Sequence, residues 1–249
     1  MSKDSVYFQL TSLELQQWQA AMQRCPTFLN RTTKKFQKKV NKIIPEKVHL
    51  VITKAIKEIT RGVIFGAGFT TLARKEKRPL EEIESKVKER INFYSSSAAV
   101  EGAATGFGGF LLSLADFPLW LSLKMKMLFE IASRYGHDTK DYKERVYILH
   151  IFQLTFSSQE RRNEVYSQIE NWEETAEKLP EDLHEFDWRT FQLEYRDYID
   201  LAKLLQLIPG VGAIAGAYVN HKLTNKLGNT AVNAYRMRRS EFRKQKLLR

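Results

Sequence analysis

Along most of this chain apolar residues recur at three- and four-residue intervals, the spacing of one helix face. The segment TSLELQQWQAAMQRC opens with Thr11 or Ser12 as an N-cap and Glu14 in the first turn, and Leu13, Trp18 and Met22 share a face. In RTTKKFQKKVNKIIP, Phe36, Val40 and Ile43 or Ile44 make one stripe among lysines. Pro45 ends that helix or starts the next, EKVHLVITKAIKEITRGVIFGAGFTTL. The segment PLEEIESKVKERINFYSSSAAVEGAATG puts Pro79 at a first helical position and acids in the first turn, where the helix dipole favours them. LPEDLHEFDWRTFQLEYRDYIDLAKLLQLIP carries acids and aromatics at helical spacing. No two neighbouring runs alternate with period two, so the pattern predicts no sheet. It predicts an all-α fold of roughly nine to eleven helices, in a single domain over residues 1–249, with no low-complexity linker to divide it.

Three segments depart from this amphipathic pattern. RGVIFGAGFTTLA, EGAATGFGGFLLSLA and IPGVGAIAGAYVN are apolar, glycine-rich and carry small residues four apart. Gly62 pairs with Gly66 in this way, Gly102 with Gly106, Ala104 with Gly108, and Gly212 with Gly216. A glycine inside a helix costs roughly 1 kcal/mol against alanine, and close approach of two helix backbones is the natural compensation. These glycines are therefore the expected helix-contact positions, and Gly102–Ala115 is expected to pack on Pro209–Val219. The uncharged run from Gly102 to Ala115 is 14 residues, short of the ~20 needed to span a bilayer. The second long run, Leu204 to His221, is broken by Pro209 and polar residues. Core helices of a bundle, shallow membrane insertion and an acyl-chain cavity all fit such segments better than a spanning pair.

Charge then adds a polarity. The net charge is +11, but Arg24–Arg90 holds 18 Lys/Arg against 7 Asp/Glu, a balance of +11. Ser158–Asp200 holds 5 against 13, a balance of −8, and Leu201–Arg249 holds 10 against one, a balance of +9. Basic faces of this kind suit phosphate-bearing partners, nucleic acid or lipid. Helix-turn-helix, zinc-finger and aromatic RNA-binding signatures are absent, so nucleic acid is the less favoured partner. Lys34, Lys35, Lys38, Lys39 and Lys42 lie on the polar side of an amphipathic helix, which reads as a surface for anionic lipid.

Catalytic chemistry is sparse. There is no phosphate-binding Walker loop and no His-Glu-x-x-His, the five histidines lack metal-ligand spacing, and the one cysteine, Cys25, excludes an internal disulfide. Neither a cofactor nor a metal is expected, and no secretory signal is visible at the N-terminus. Glu101 and Asp116 are the candidates if the chain is an enzyme acting on lipid or peptide. In one straight helix their 15-residue separation would span about 22 Å, so the simpler expectations are structural. Asp116 caps the helix that Pro118 starts, and Glu101 pairs with a cation such as Lys222 or Arg236.

The run Gly102–Gly109, then Ala115–Pro118, then Ile131–Asp138, with Ile208–Ala213, Asn220 and Ala231–Arg236 near the end, closely resembles the EcsC family. His137 stands where tyrosine is more usual. The resemblance implies a bacterial protein linked to an ABC exporter, its ATPase and membrane subunit as partners, and to peptide export and secretion. It supplies no catalytic residues. The expectation is a non-enzymatic accessory protein, cytoplasmic and peripheral to the inner face of the cell membrane, with lipid as a ligand.

Overall fold

A computed structural model describes residues 3–24, 46–65, 78–106, 117–157, 161–185 and 213–247. Among these residues there are nine α-helices and a short 3-10 turn, and no strand. They are α1 (Lys3–Gln23), α2 (Glu46–Ile64), α3 (Leu80–Gly106), α4 (Phe117–Arg134), α5 (Tyr142–Phe156), α6 (Arg162–Glu170), α7 (Trp172–Glu177), α8 (Ala213–Arg238) and α9 (Ser240–Leu247). The fold is an all-α bundle.

Helix α3 begins one residue after Pro79, whose carbonyl accepts from the Glu82 and Ile83 amides. Helix α1 starts well before the expected cap. Thr11 and Ser12 lie inside it, their hydroxyls donating back to the Tyr7 and Phe8 carbonyls. Such residues cap a helix only where the chain enters it, and here the turn before them is already helical. Leu13 is 54% exposed, so the packed stripe is Leu15, Trp18 and Met22 instead.

The α3–α8 pair forms the most extensive helix contact of the bundle. Its register is antiparallel. Glu84 meets Arg236, Ile91 meets Gly228, and the Ser95 carbonyl lies 3.3 Å from His221 Nδ1. Helix α4 also runs antiparallel to α3, since Glu130 meets Arg90 and Tyr94 while Tyr135, just past its end, meets Glu84. Helix α5 runs antiparallel to α8 in turn, through Glu144–Arg238, Tyr147–Ala234 and Thr155–Lys226.

Gly136 turns the chain from α4 into α5. It sits at φ 89°, a region open to glycine without strain. Its amide donates to the Ser133 carbonyl, and the His137 amide to that of Ala132, the paired bonds of a Schellman end. Asp141 then caps α5, accepting from the Lys143 amide at 2.9 Å. The apolar core packs around α4, α5 and the C-terminal half of α8, with Phe129, Tyr147, Phe152, Phe156 and Tyr235 fully enclosed.

Candidate functional site: a buried ionic centre and the glycine-rich pole

Two carboxylates lie inside the bundle, each held by an arginine of α8. Glu84 is 6% exposed and Arg236 is 5% exposed. The guanidinium grips the carboxylate with two bonds, Nε to Oε1 at 2.7 Å and NH2 to Oε2 at 2.6 Å. The Tyr7 hydroxyl donates to Oε2 at 2.7 Å and that of Tyr135 to Oε1 at 3.0 Å. Four donors thus satisfy Glu84, as a buried charge requires. Arg236 also reaches Glu14 of α1 at 3.0 Å. Burial opposes the Arg236 charge, but the Glu84 hydrogen bonds outweigh it and hold the guanidinium above its usual value.

Glu144 of α5 repeats the design with Arg238, two residues further along α8 than Arg236. It is 5% exposed, accepts from the Tyr235 hydroxyl at 2.7 Å and from Arg238 NH1 at 2.6 Å. Burial pushes its carboxyl up, against the pull of Arg238 and Tyr235. Arg238 lies 4.4 Å above the Tyr147 ring, a cation–π contact that favours its charged form. His137 Nδ1 is 3.6 Å from the same carboxylate, yet burial and then the charges of Arg238, Arg239 and Arg243 hold its pKa down to about 3. The ring is therefore neutral at pH 7, and this contact is not an ion pair. The two centres touch through stacked rings, Tyr135 on Tyr235 at 5.4 Å and 18°. A third pair, Arg90–Glu130, stands nearer the surface, with the Tyr94 hydroxyl pushed up to about 12 by burial and then by Glu130.

The ionic centres occupy one end of the bundle, and the glycine-rich helix ends occupy the other. The antiparallel register puts the C-terminus of α3, the N-terminus of α4 and the N-terminus of α8 at the same pole. The last contact of α5 with α8 is at Lys226. From there α8 runs on to Ala213, a further ~20 Å at 1.5 Å per residue. Gly102 and Gly106 lie in the last turns of α3, Gly216 in the first turn of α8, and Gly62 in the last turn of α2. Asp116, Gly66, Gly108, Gly212 and the lysines 34, 35, 38, 39 and 42 lie outside the described residues.

One expected pairing is corrected. The register sets Glu101 about level with Tyr218, roughly 27 Å along α8 from Arg236, so the two cannot pair. Arg236 belongs to Glu84 and Glu14. Helix α3 ends at Gly106 and α4 returns from Phe117, so Glu101 and the start of α4 share one pole. A close glycine contact among the described residues was also not foreseen. A Cβ on Gly228 would come within 2.6 Å of the Ile91 side chain, yet Gly228 lies in LTNKLGNT, outside the three glycine-rich segments and with no glycine or alanine four residues away.

The motif segments Ile131–Asp138 and Ala231–Arg236 therefore supply the stacked tyrosines, the Gly136 turn and Arg236, and they meet at one buried centre. A helical bundle with this centre, and with no group of three metal-ligating side chains and no membrane-crossing helix among the described residues, defines an all-α protein built on a locked ionic core. The chain belongs to the EcsC protein family, whose model matches residues 9–239. It is 43% identical to Protein EcsC of Bacillus subtilis (strain 168) over 231 residues, covering 92% of this chain and 95% of that one. It is 29% identical to the Uncharacterized protein YdbA of the same organism over 262 residues, covering 95% and 93%. No solved structure matches.

Proposed function

We propose that this chain is a non-enzymatic accessory protein working at the cytoplasmic face of the bacterial membrane, partnered with an ABC exporter in peptide export and secretion, and binding anionic lipid. The observation that carries this is the division of the molecule into two poles. The buried carboxylates Glu84 and Glu144 are committed to arginine and tyrosine partners in the core, while the charge-poor helix ends gather at the opposite end. A bundle arranged this way offers a surface rather than a reaction centre. The lysines of 34–42 add a basic stretch for anionic headgroups.

Sedimentation with vesicles of phosphatidylglycerol and phosphatidylethanolamine tests the membrane part: the full chain pellets with the vesicles, and a chain that stays in the supernatant at low salt overturns it. Pull-down of a tagged chain from detergent-solubilised cells tests the partner, with recovery of an ABC ATPase and permease as the expected result.

One observation favours a second reading, an enzyme acting on lipid or peptide. Glu101 and Phe117, the residue that begins α4, lie at the same pole, and an acid-base group there would be Glu101 or Asp116, which precedes Phe117 in the sequence. Glu101→Gln that abolishes a hydrolytic activity of the purified chain, without loss of stability, would favour it.

A further inference from the structure

We infer that the pole built from α3 beyond Ala98, α4 up to Leu123 and α8 up to Asn220 dips into one leaflet of an anionic bilayer, to a depth set by Lys126 and Lys222. This rests on the membrane-surface function above and adds which part enters and how far.

Three observations carry it. The first is charge. In Ala98–Gly106, Phe117–Leu123 and Ala213–Asn220 the only charged residue is Glu101. The second is exposure. Leu119 is 59% exposed and Tyr218 is 66% exposed, and continuing the pairing of α3 with α4 and α8 residue for residue brings these two to about the same level. Large apolar side chains left in water at one end of a protein mark a surface that something apolar covers.

The third is the rim. The same continuation sets Lys126 of α4 about one turn from Lys222 of α8, both exposed, with the exposed ring of Phe93 beside them. Lysines at one level below an apolar tip match the anionic headgroups of a leaflet, their stems lying along the acyl boundary. From Lys222 to Ala213 the helix rises about 13 Å, close to half of the roughly 30 Å hydrocarbon layer. The described part of α8 beyond Lys222 thus matches the depth of one leaflet. Small residues along α3 and α8 let these helices stay close where no water drives them together.

The test uses the full chain carrying Cys25→Ser and one new cysteine, Leu119→Cys, Tyr218→Cys or Glu181→Cys, labelled with an environment-sensitive dye. Vesicles of phosphatidylglycerol and phosphatidylethanolamine carry nitroxides on their acyl chains. Dye at 119 and 218 should shift to the blue and be quenched, whereas dye at 181, beside Lys143 at the ionic pole, should do neither. Leu119→Glu and Tyr218→Glu should each lower vesicle partition about tenfold, with melting unchanged because both side chains are exposed.

Chains that pellet with vesicles while 119 and 218 stay in water would overturn this inference and leave the membrane function standing on another surface. Failure to pellet at all would overturn both. A dimer in solution that Leu119→Glu dissociates, with no quenching in vesicles, would assign the patch to a second copy of the chain instead.

Discussion

Arg236 makes three short hydrogen bonds to two carboxylates from a position that is 5% exposed. Removing it leaves Glu84 buried and stripped of its cation. Breaking one side of a buried pair costs about 3–5 kcal/mol, so Arg236→Ala should unfold at markedly lower denaturant. Lysine keeps the charge but not the planar fork, so Arg236→Lys should fall between. The double variant Glu84→Leu/Arg236→Met should recover much of the loss, because two apolar side chains replace both charges together. Equal midpoints for Arg236→Ala and the double variant would refute a penalty that arises from the orphaned carboxylate.

His137 makes a pH-dependent contribution of definite sign. Its folded pKa, about 3, lies below the ordinary histidine value of 6.5. The unfolded chain therefore binds the proton more readily, and stability falls as pH drops from 6.5 toward 3. Glu144 acts the other way just above pH 4.5, because its raised carboxyl lets the folded state hold a proton longer. The difference between wild type and His137→Gln isolates the histidine. Melting temperatures of the two should converge as pH falls from 7 to 4, and parallel curves would show that the ring does not titrate with folding.

At the scale of elements, the α3–α8 pair is set by one close approach. Adding a methyl at Gly228 drives it into Ile91 at 2.6 Å, and such overpacking costs about 1–3 kcal/mol. Helix propensity returns roughly 1 kcal/mol for glycine to alanine, so the net effect of Gly228→Ala should be destabilising. Ile91→Val removes one of the crowding carbons. Combined with Gly228→Ala it should cost less than the sum of the two single changes, as a thermal-denaturation cycle would show. Strict additivity would mean the helices separate without strain. The four-residue spacing drew attention to Gly62, Gly66, Gly102, Gly106, Gly108, Gly212 and Gly216, of which Gly102 and Gly106 belong to α3 and Gly216 to α8. A close approach also falls on Gly228, outside the glycine-rich segments, because antiparallel helices meet wherever their crossing brings them closest.

At the scale of the whole molecule, the proposed membrane attachment has two separable parts, the basic stretch of lysines 34–42 in the sequence and the exposed Leu119 and Tyr218. If the proposed lysine stretch 34–42 carries attachment, it acts through screened electrostatics, and vesicle binding should fall steeply as salt rises through the range where the Debye length shrinks below ~10 Å. Replacing Lys35, Lys38 and Lys39 by Glu should remove that salt-sensitive part. Apolar contact at the Leu119–Tyr218 pole is not screened, so a residual binding should persist at high salt. Binding indifferent to both salt and the lysine changes would rule out the basic stretch as an attachment.

The all-α class, the helices that follow Pro45 and Pro79 and the family were legible in the sequence, because a 3.6-residue period, capping chemistry and a long motif are local properties of the chain. Local chemistry also misled where context mattered. Thr11 and Ser12 look like caps, but helical residues precede them, and only the chain before them decides whether a hydroxyl caps or turns back. Which charges pair was decided by tertiary structure alone. Glu84 and Arg236 lie 152 positions apart, and nothing local distinguishes Glu84 from its neighbours Glu81 and Glu82 except the helix face it occupies. The stacking of Tyr135 on Tyr235, the fit of Gly228 to Ile91 and the gathering of three helix ends at one pole follow from the direction in which each helix returns. Direction and register arise from packing distant segments into one core, and no periodicity within a single segment encodes them.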